Sequence, residues 1–193
     1  MMKNIYLAFI LITSFYSRSQ ITVGLRDGYW LEDMPPGSYI KDTNNEFDPF
    51  AGKWVWTNGD EKVIFKLEKV VHYRYPFGSY EDFMIGNYSY TKDNGLTIVA
   101  NTINQSLSLN PDENPMFAFI TKPGSSIDFY FNDIPLDKDD CRAIFEFIPG
   151  STTQMTVRFK NPEVISSIED PNNPSPPYNY EFTIPQGIIL TKQ

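Results

Sequence analysis

Short segments in which apolar and polar residues alternate are the main pattern along this chain. The clearest lies on either side of Asn58-Gly59, a dipeptide that is a strong hairpin signal because a type I′ turn needs positive φ at both central residues. With Thr57 opposite Asp60, Trp54 faces Val63, and one face of the pair is apolar while the other is mostly charged. The residues predicted to form this structural core are Gly52, Trp54, Trp56, Val63, Phe65 and Leu67.

About nine such segments can be recognised, separated by turn sequences such as Asp93-Asn94-Gly95 and Pro149-Gly150. A break in the alternation near Val70-Val71 is typical of a β-bulge. No stretch after residue 19 has a convincing 3.6-residue period. The pattern therefore predicts an all-β protein, a single antiparallel barrel of lipocalin-like form, with a β-sandwich as the alternative.

The first residues have the features of a signal peptide. Lys3 precedes a short apolar run, too short to span a bilayer, and Ser17 and Ser19 suit cleavage before Gln20. We expect export to the periplasm or the cell exterior, with no membrane span. The predicted parts of the chain are a signal peptide (1–19), an extended lead-in (20–47) and an all-β barrel domain (48–193).

The lead-in carries four aromatic residues that are costly to leave in water, Tyr29, Trp30, Tyr39 and Phe47. We therefore expect the lead-in to lie against the barrel. A second irregular region, residues 161–179, is rich in Pro, Asn and Ser and is predicted to be a long connection.

The chain is acidic, with 16 Lys and Arg against 24 Asp and Glu and a net charge of −8. Loss of residues 1–19 removes Lys3 and Arg18 but no acid, so the mature chain has 14 basic residues and a net charge of −10. Such a chain is repelled by nucleic acid and by anionic membrane surfaces. The expected partners are a small apolar ligand, or a protein or glycan of the cell envelope.

Few residues offer catalytic chemistry. His72 is the only histidine, no G-x-S-x-G motif is present, and a zinc site would have to be built almost wholly from carboxylates. Cys141 is the only cysteine, so no disulfide can form within the chain, and its place beside an alternating run predicts a buried structural thiol. We predict no catalytic residue, no metal and no cofactor, and a binding protein rather than an enzyme.

The acidic residues leave two alternatives open. Asp133, Asp137, Asp139 and Asp140 form a stretch that could supply oxygen ligands to calcium, but Arg142 and Ile148 stand where an EF-hand loop needs Gly and Glu. We predict a solvated turn, with an irregular calcium site as the alternative. Paired carboxylates for glycoside hydrolysis are also conceivable, although no spacing singles out two of the acids.

Gly52-Lys53-Trp54, at the start of the first strand, resembles the G-x-W motif of lipocalins. The resemblance implies an up-and-down barrel around a cavity for small apolar ligands, with the Trp closing one end beneath a basic residue. Arg158 is the candidate for that residue.

The whole chain resembles an uncharacterised family of small exported proteins from Bacteroidetes-type bacteria. The resemblance is carried by Ser19-Gln20, by residues 37–50 leading into Gly52-Lys53-Trp54, and by residues 188–193. It implies export and a single domain, and no activity.

Three functions follow from these observations. The first is an exported, non-enzymatic binding protein whose barrel holds a small apolar ligand. The second is a structural or interaction module that contacts a protein or a glycan of the cell envelope, and the third is a hydrolase. A cavity inside the barrel would favour the first, and a filled barrel with exposed aromatic residues the second.

Overall fold

The computed structural model describes residues 20–108, 110–119, 121–122, 125–162 and 179–193. The predicted signal peptide and most of the predicted connection 161–179 lie outside these residues. The described part contains strands and short 3-10 turns but no α-helix. The strands are β1 (Thr22–Gly24), β2 (Tyr39–Lys41), β3 (Gly52–Asn58), β4 (Glu61–Arg74), β5 (Tyr80–Lys92), β6 (Thr97–Asn101), β7 (Met116–Ala118), β8 (Thr121–Lys122), β9 (Ser126–Asp133), β10 (Lys138–Phe147), β11 (Gln154–Lys160) and β12 (Ile188–Lys192). The 3-10 turns are Leu31–Asp33, Asp93–Gly95, Pro111–Glu113 and Ile134–Leu136.

Eight strands close into one antiparallel barrel in the order β5-β4-β3-β12-β11-β10-β9-β7, and β7 pairs back to β5. β6 extends the pairing of β5, and β8 that of β9. Closure satisfies the backbone groups that an open sheet would leave at its edges. The all-β, lipocalin-like barrel is therefore confirmed, and the β-sandwich alternative is wrong.

The first hairpin forms where the pattern places it, but with a different turn. Asn58 pairs with Glu61 and Trp54 with Phe65, so the two turn residues are Gly59 and Asp60. Gly59 has φ +60°, whereas Asn58 stays in the strand, which suits a turn with glycine at its first central position. The predicted register is wrong by two residues. The faces are unchanged because side chains alternate with a period of two.

Side chains from all around the sheet fill the barrel. Trp54, Val63, Phe65 and Leu67 are buried, whereas Gly52 and Trp56 are half-buried. Rings from opposite sides of the barrel meet edge to face, with 5.1 Å between the centroids of Phe65 and Phe145. The buried residues contributed by the later strands include Met116, Phe129, Phe131, Cys141, Ala143, Phe145, Met155 and Val157, all fully buried.

This packing differs from the predicted ligand cavity inside the barrel. A void large enough for a water molecule would leave part of the surrounding side chains accessible, and these are not. The physical reason is the bulk of the inward residues. An eight-stranded barrel has an interior that large aromatic and aliphatic side chains can fill by themselves.

Trp54 lies at the end of the barrel where β3 begins. Its indole N–H donates a hydrogen bond to the carbonyl oxygen of Phe50 at 2.7 Å. The basic residue against the ring is Lys192, whose Nζ lies 5.2 Å from the ring centroid and donates to the Pro49 carbonyl oxygen at 2.9 Å. The prediction of Arg158 in this role is wrong, because Arg158 faces outward and pairs with Glu146 at 2.8 Å.

The lead-in is attached to the barrel by strands and by a buried ion pair. β1 runs parallel to β2, and β2 runs parallel to the start of β5. Lys69 of β4 lies 2.8 Å from the carboxylate of Asp42, which also accepts hydrogen bonds from the backbone N–H groups of Glu46 and Phe47. Burial raises the pKa of Asp42, but the hydrogen bonds together with the charge of Lys69 lower it by more.

The predicted bulge is present in β4, where the register with β5 shifts between Val70 and Tyr73. His72 lies at this break with φ +56°. Its exposed ring stacks on Tyr80 at a centroid distance of 4.2 Å, and its backbone N–H donates to Asp82 at 2.8 Å. The histidine is therefore a surface residue of the bulge.

Candidate functional site

A cleft of about 540 Å³ lies outside the barrel, between the lead-in and the start of β5. We call it the aromatic cleft. Segments distant in sequence supply its walls: the lead-in, β2, the turn between β4 and β5, the start of β5, and the chain on both sides of β7. Its lining residues are Leu25, Gly28, Tyr29, Trp30, Leu31, Glu32, Ile40, Tyr75, Phe77, Glu81, Asn110, Pro111, Asp112 and Phe119.

Hydrogen bonds between the lead-in and the β4–β5 turn hold two walls of the aromatic cleft together. The N–H of Gly37 donates to the carbonyl oxygen of Gly78 at 3.0 Å, and the N–H of Tyr80 donates to that of Ser38 at 2.8 Å. Gly78 has φ +93°, a conformation that favours glycine, and it closes the turn through a bond from its N–H to the Tyr75 carbonyl oxygen. The turn thereby places Tyr75 and Phe77 opposite the lead-in.

Exposed aromatic rings form the outer walls. Trp30 is 78% exposed, and Tyr29 and Phe77 are also exposed. Phe77 stacks on Tyr75 with 5.2 Å between ring centroids. The expectation that the lead-in aromatics lie against the barrel holds for Tyr39 and Phe47, which are buried, but is wrong for Tyr29 and Trp30.

Among the charged residues that line the aromatic cleft, Glu81 is the buried one, and it is only 9% exposed. Side chains alternate along β5, so Glu81 points to the face opposite Met84, which packs in the barrel core. The Tyr75 hydroxyl donates a hydrogen bond to Glu81 Oε2 at 3.0 Å.

Burial determines the protonation of this pair. It raises the pKa of Glu81 to about 7, and the nearby charge of Asp82 adds to that effect, while the hydrogen bond from Tyr75 opposes it. Burial and the charge of Glu81 likewise raise the pKa of Tyr75, so the phenol stays protonated and acts as the donor. Close to neutral pH, Glu81 can therefore exchange a proton.

The residues singled out from the sequence lie elsewhere. The six predicted structural-core residues are in the first hairpin, Cys141 is buried inside the barrel, and His72 is not among the residues that line the aromatic cleft. Sequence reasoning missed Glu81, which belongs to no motif. The signal that could have found the aromatic cleft is the pair Tyr29-Trp30, two large aromatics in a segment too irregular to bury both.

The acidic stretch does not assemble a metal site. Asp133 is buried and accepts a hydrogen bond from the Thr183 N–H at 2.7 Å, whereas Asp137, Asp139 and Asp140 are exposed. Across the described ranges, no group of three or more His, Cys, Asp or Glu side chains could hold a metal ion.

Within the residues that the structure describes, no helix is long and apolar enough to cross a membrane.

Fold and site together define a closed antiparallel β-barrel protein with an external cleft walled by aromatic residues. The chain belongs to a family of unknown function, DUF6705, which matches residues 2–193. The predicted resemblance to an uncharacterised family is confirmed to that extent. No curated protein and no solved structure matches the chain.

Proposed function

We propose that the protein is an exported, non-enzymatic binding protein that holds a small, largely apolar molecule in the aromatic cleft. The observation that carries the proposal is Trp30, a large aromatic side chain that is 78% exposed at the wall of a cleft of about 540 Å³. Ligand sites typically enclose about 300–1,000 Å³ and are lined mainly by apolar and aromatic side chains.

The position of the site follows from how the barrel is packed. The interior is filled by its own side chains, so a guest there would have to displace buried aromatic residues. The aromatic cleft needs no such rearrangement, because its rings already face solvent. A ligand that covers Trp30 and Phe77 removes apolar surface from water, which favours binding.

A neutral, environment-sensitive dye such as N-phenyl-1-naphthylamine tests the proposal. We expect its fluorescence to rise with the mature protein and the rise to fall at least fivefold in Trp30→Ala and in Phe77→Ala. Leu96→Ala is the control, because Leu96 is 88% exposed but does not line the aromatic cleft. An equal rise in all variants, or no rise with the folded wild-type protein, would refute a ligand site here.

An interaction module for a glycan of the cell envelope is the second candidate. The exposed rings of Tyr29 and Trp30 favour it, since flat aromatic surfaces can stack on sugar rings. Retention on immobilised envelope polysaccharide, lost in Trp30→Ala and kept in Leu96→Ala, would support this candidate. The hydrolase alternative has less support because His72 and the acids of the aromatic cleft are not assembled in one site.

Export is part of the proposal and has its own test. The features of residues 1–19 support cleavage before Gln20. The intact mass of protein recovered from its host outside the cytoplasm should correspond to a chain that begins at Gln20. A mass that includes residues 1–19 would contradict export by this route.

A further inference from the structure

The charged residues that line the aromatic cleft are all acidic. They are Glu32 from the lead-in, Glu81 from β5 and Asp112 from the segment before β7, and no Lys, Arg or His is among the described lining residues. The three acids come from three different segments of the chain. An anionic ligand would meet only repulsion here, whereas a cation would meet complementary charge.

Glu81 is the acid best placed to select a charge. Its carboxyl group is buried, accepts one hydrogen bond from Tyr75, and has no ion-pair partner within the described part of the chain. A buried carboxylate without a counter-ion is unfavourable, and a bound cation would remove that penalty.

The aromatic walls fit the same kind of ligand. An organic cation is attracted to the faces of Trp, Tyr and Phe rings, and quaternary ammonium groups are recognised by clusters of such rings. Trp30, Tyr29 and Phe77 present rings on the side open to solvent, while Glu81 lies on the floor. Tyr75 connects the two features, because its ring stacks on Phe77 and its hydroxyl donates a hydrogen bond to Glu81.

We propose that the ligand of the aromatic cleft is a small organic cation, with an ammonium group near Glu81 and its apolar part against Trp30 and Phe77. This inference rests on the proposed function, because it names the class of molecule that the same cleft binds. Under this proposal, binding of the cation depends on the ionisation of Glu81. The other ionisable groups around Glu81 are Tyr73 opposite it on β4, Tyr75 on the turn, Asp82 on β5, Asp112 before β7 and Glu32 on the lead-in.

Choline and its uncharged carbon isostere 3,3-dimethylbutan-1-ol form a suitable pair of probes, because they have nearly the same shape and neither ionises near neutral pH. Binding to the mature chain can be followed by NMR at the indole N–H of Trp30, identified by its loss in Trp30→Phe. At pH 8 we expect choline to bind at least tenfold more tightly than the isostere. Between pH 6 and pH 8 its affinity should rise about tenfold, as Glu81 ionises.

Glu81→Gln is the decisive variant, because the amide keeps the size of the side chain and can still accept the hydrogen bond from Tyr75. We expect it to abolish both the preference for choline and the rise with pH. Glu146→Gln, which removes the same charge from an exposed pair with Arg158, should change neither. The NMR spectra of both variants report directly whether they are folded.

The other outcomes would overturn either the charge proposed for the ligand or the proposed function. The proposal of a cationic ligand is wrong if both probes bind equally, if Glu81→Gln keeps the preference for choline, or if choline fails to bind while the neutral dye does. The aromatic cleft then remains a site for neutral molecules. If the neutral dye and both probes all fail to bind, the proposed function itself is wrong.

Discussion

Replacement of Glu81 by Gln should make the protein more stable, and only at neutral and alkaline pH. Burial raises the pKa of the folded carboxyl group to about 7 from an ordinary value of 4.5. Folding therefore favours the protonated acid. The contribution of Glu81 to stability is fully present below pH 4.5 and is lost as the pH rises through 7. The full loss is about 3 kcal/mol, since each tenfold change in an equilibrium constant is about 1.4 kcal/mol.

Glutamine is neutral at every pH and matches the protonated acid in size. We therefore expect Glu81→Gln to equal the wild type near pH 4 and to exceed it by about 3 kcal/mol near pH 8. Urea unfolding at both pH values measures the difference in free energy of unfolding between the variant and the wild type. The titration of all other groups affects both proteins equally and drops out of this difference. Glu146→Gln is the control and should stay within about 0.5 kcal/mol at both values. A Glu81→Gln difference that is the same at pH 4 and pH 8 would refute the assignment of a buried carboxylate.

Two further predictions concern the barrel. Trp54→Ala should destabilise the protein by about 3–5 kcal/mol, the usual range for truncation of a buried aromatic residue. The loss should be clearly larger than that of Val55→Ala, on the half-exposed face. Equal losses of stability in urea melts would contradict the assigned faces. Lys69→Ala leaves the buried carboxylate of Asp42 without its counter-ion and should cost about 3–5 kcal/mol, against at most about 1 kcal/mol for Lys66→Ala in an exposed pair. Similar losses for the two lysines in thermal or urea unfolding would show that burial does not govern the Asp42 pair.

The sequence determined the fold class and the faces of the first hairpin. Alternation with a period of two keeps the same side chains on one face when the register shifts by two residues. Trp54 and Phe65 are therefore buried together although the predicted register is wrong by two residues. The bulge near Val70 could also be found from the sequence, because an extra residue breaks the alternation visibly.

The partner of Trp54 could not be found in this way. Lys192 and Arg158 are both basic residues in late strands, and the choice between them depends on which strand end meets the start of β3. Pairing between β12 and β3 closes the barrel and joins residues far apart in the chain. Local alternation carries no information about such long-range pairing.

The aromatic cleft was decided by the tertiary structure alone. Its walls come from the lead-in, the β4–β5 turn and the chain around β7, and a parallel pairing of β2 with β5 brings them together. In the sequence, Glu81 is one of 24 acidic residues, and nothing in its local sequence distinguishes it from the solvent-exposed acidic residues. Its chemistry arises from desolvation, a property of all the atoms that surround a group in space, and a linear pattern of residues does not specify those atoms.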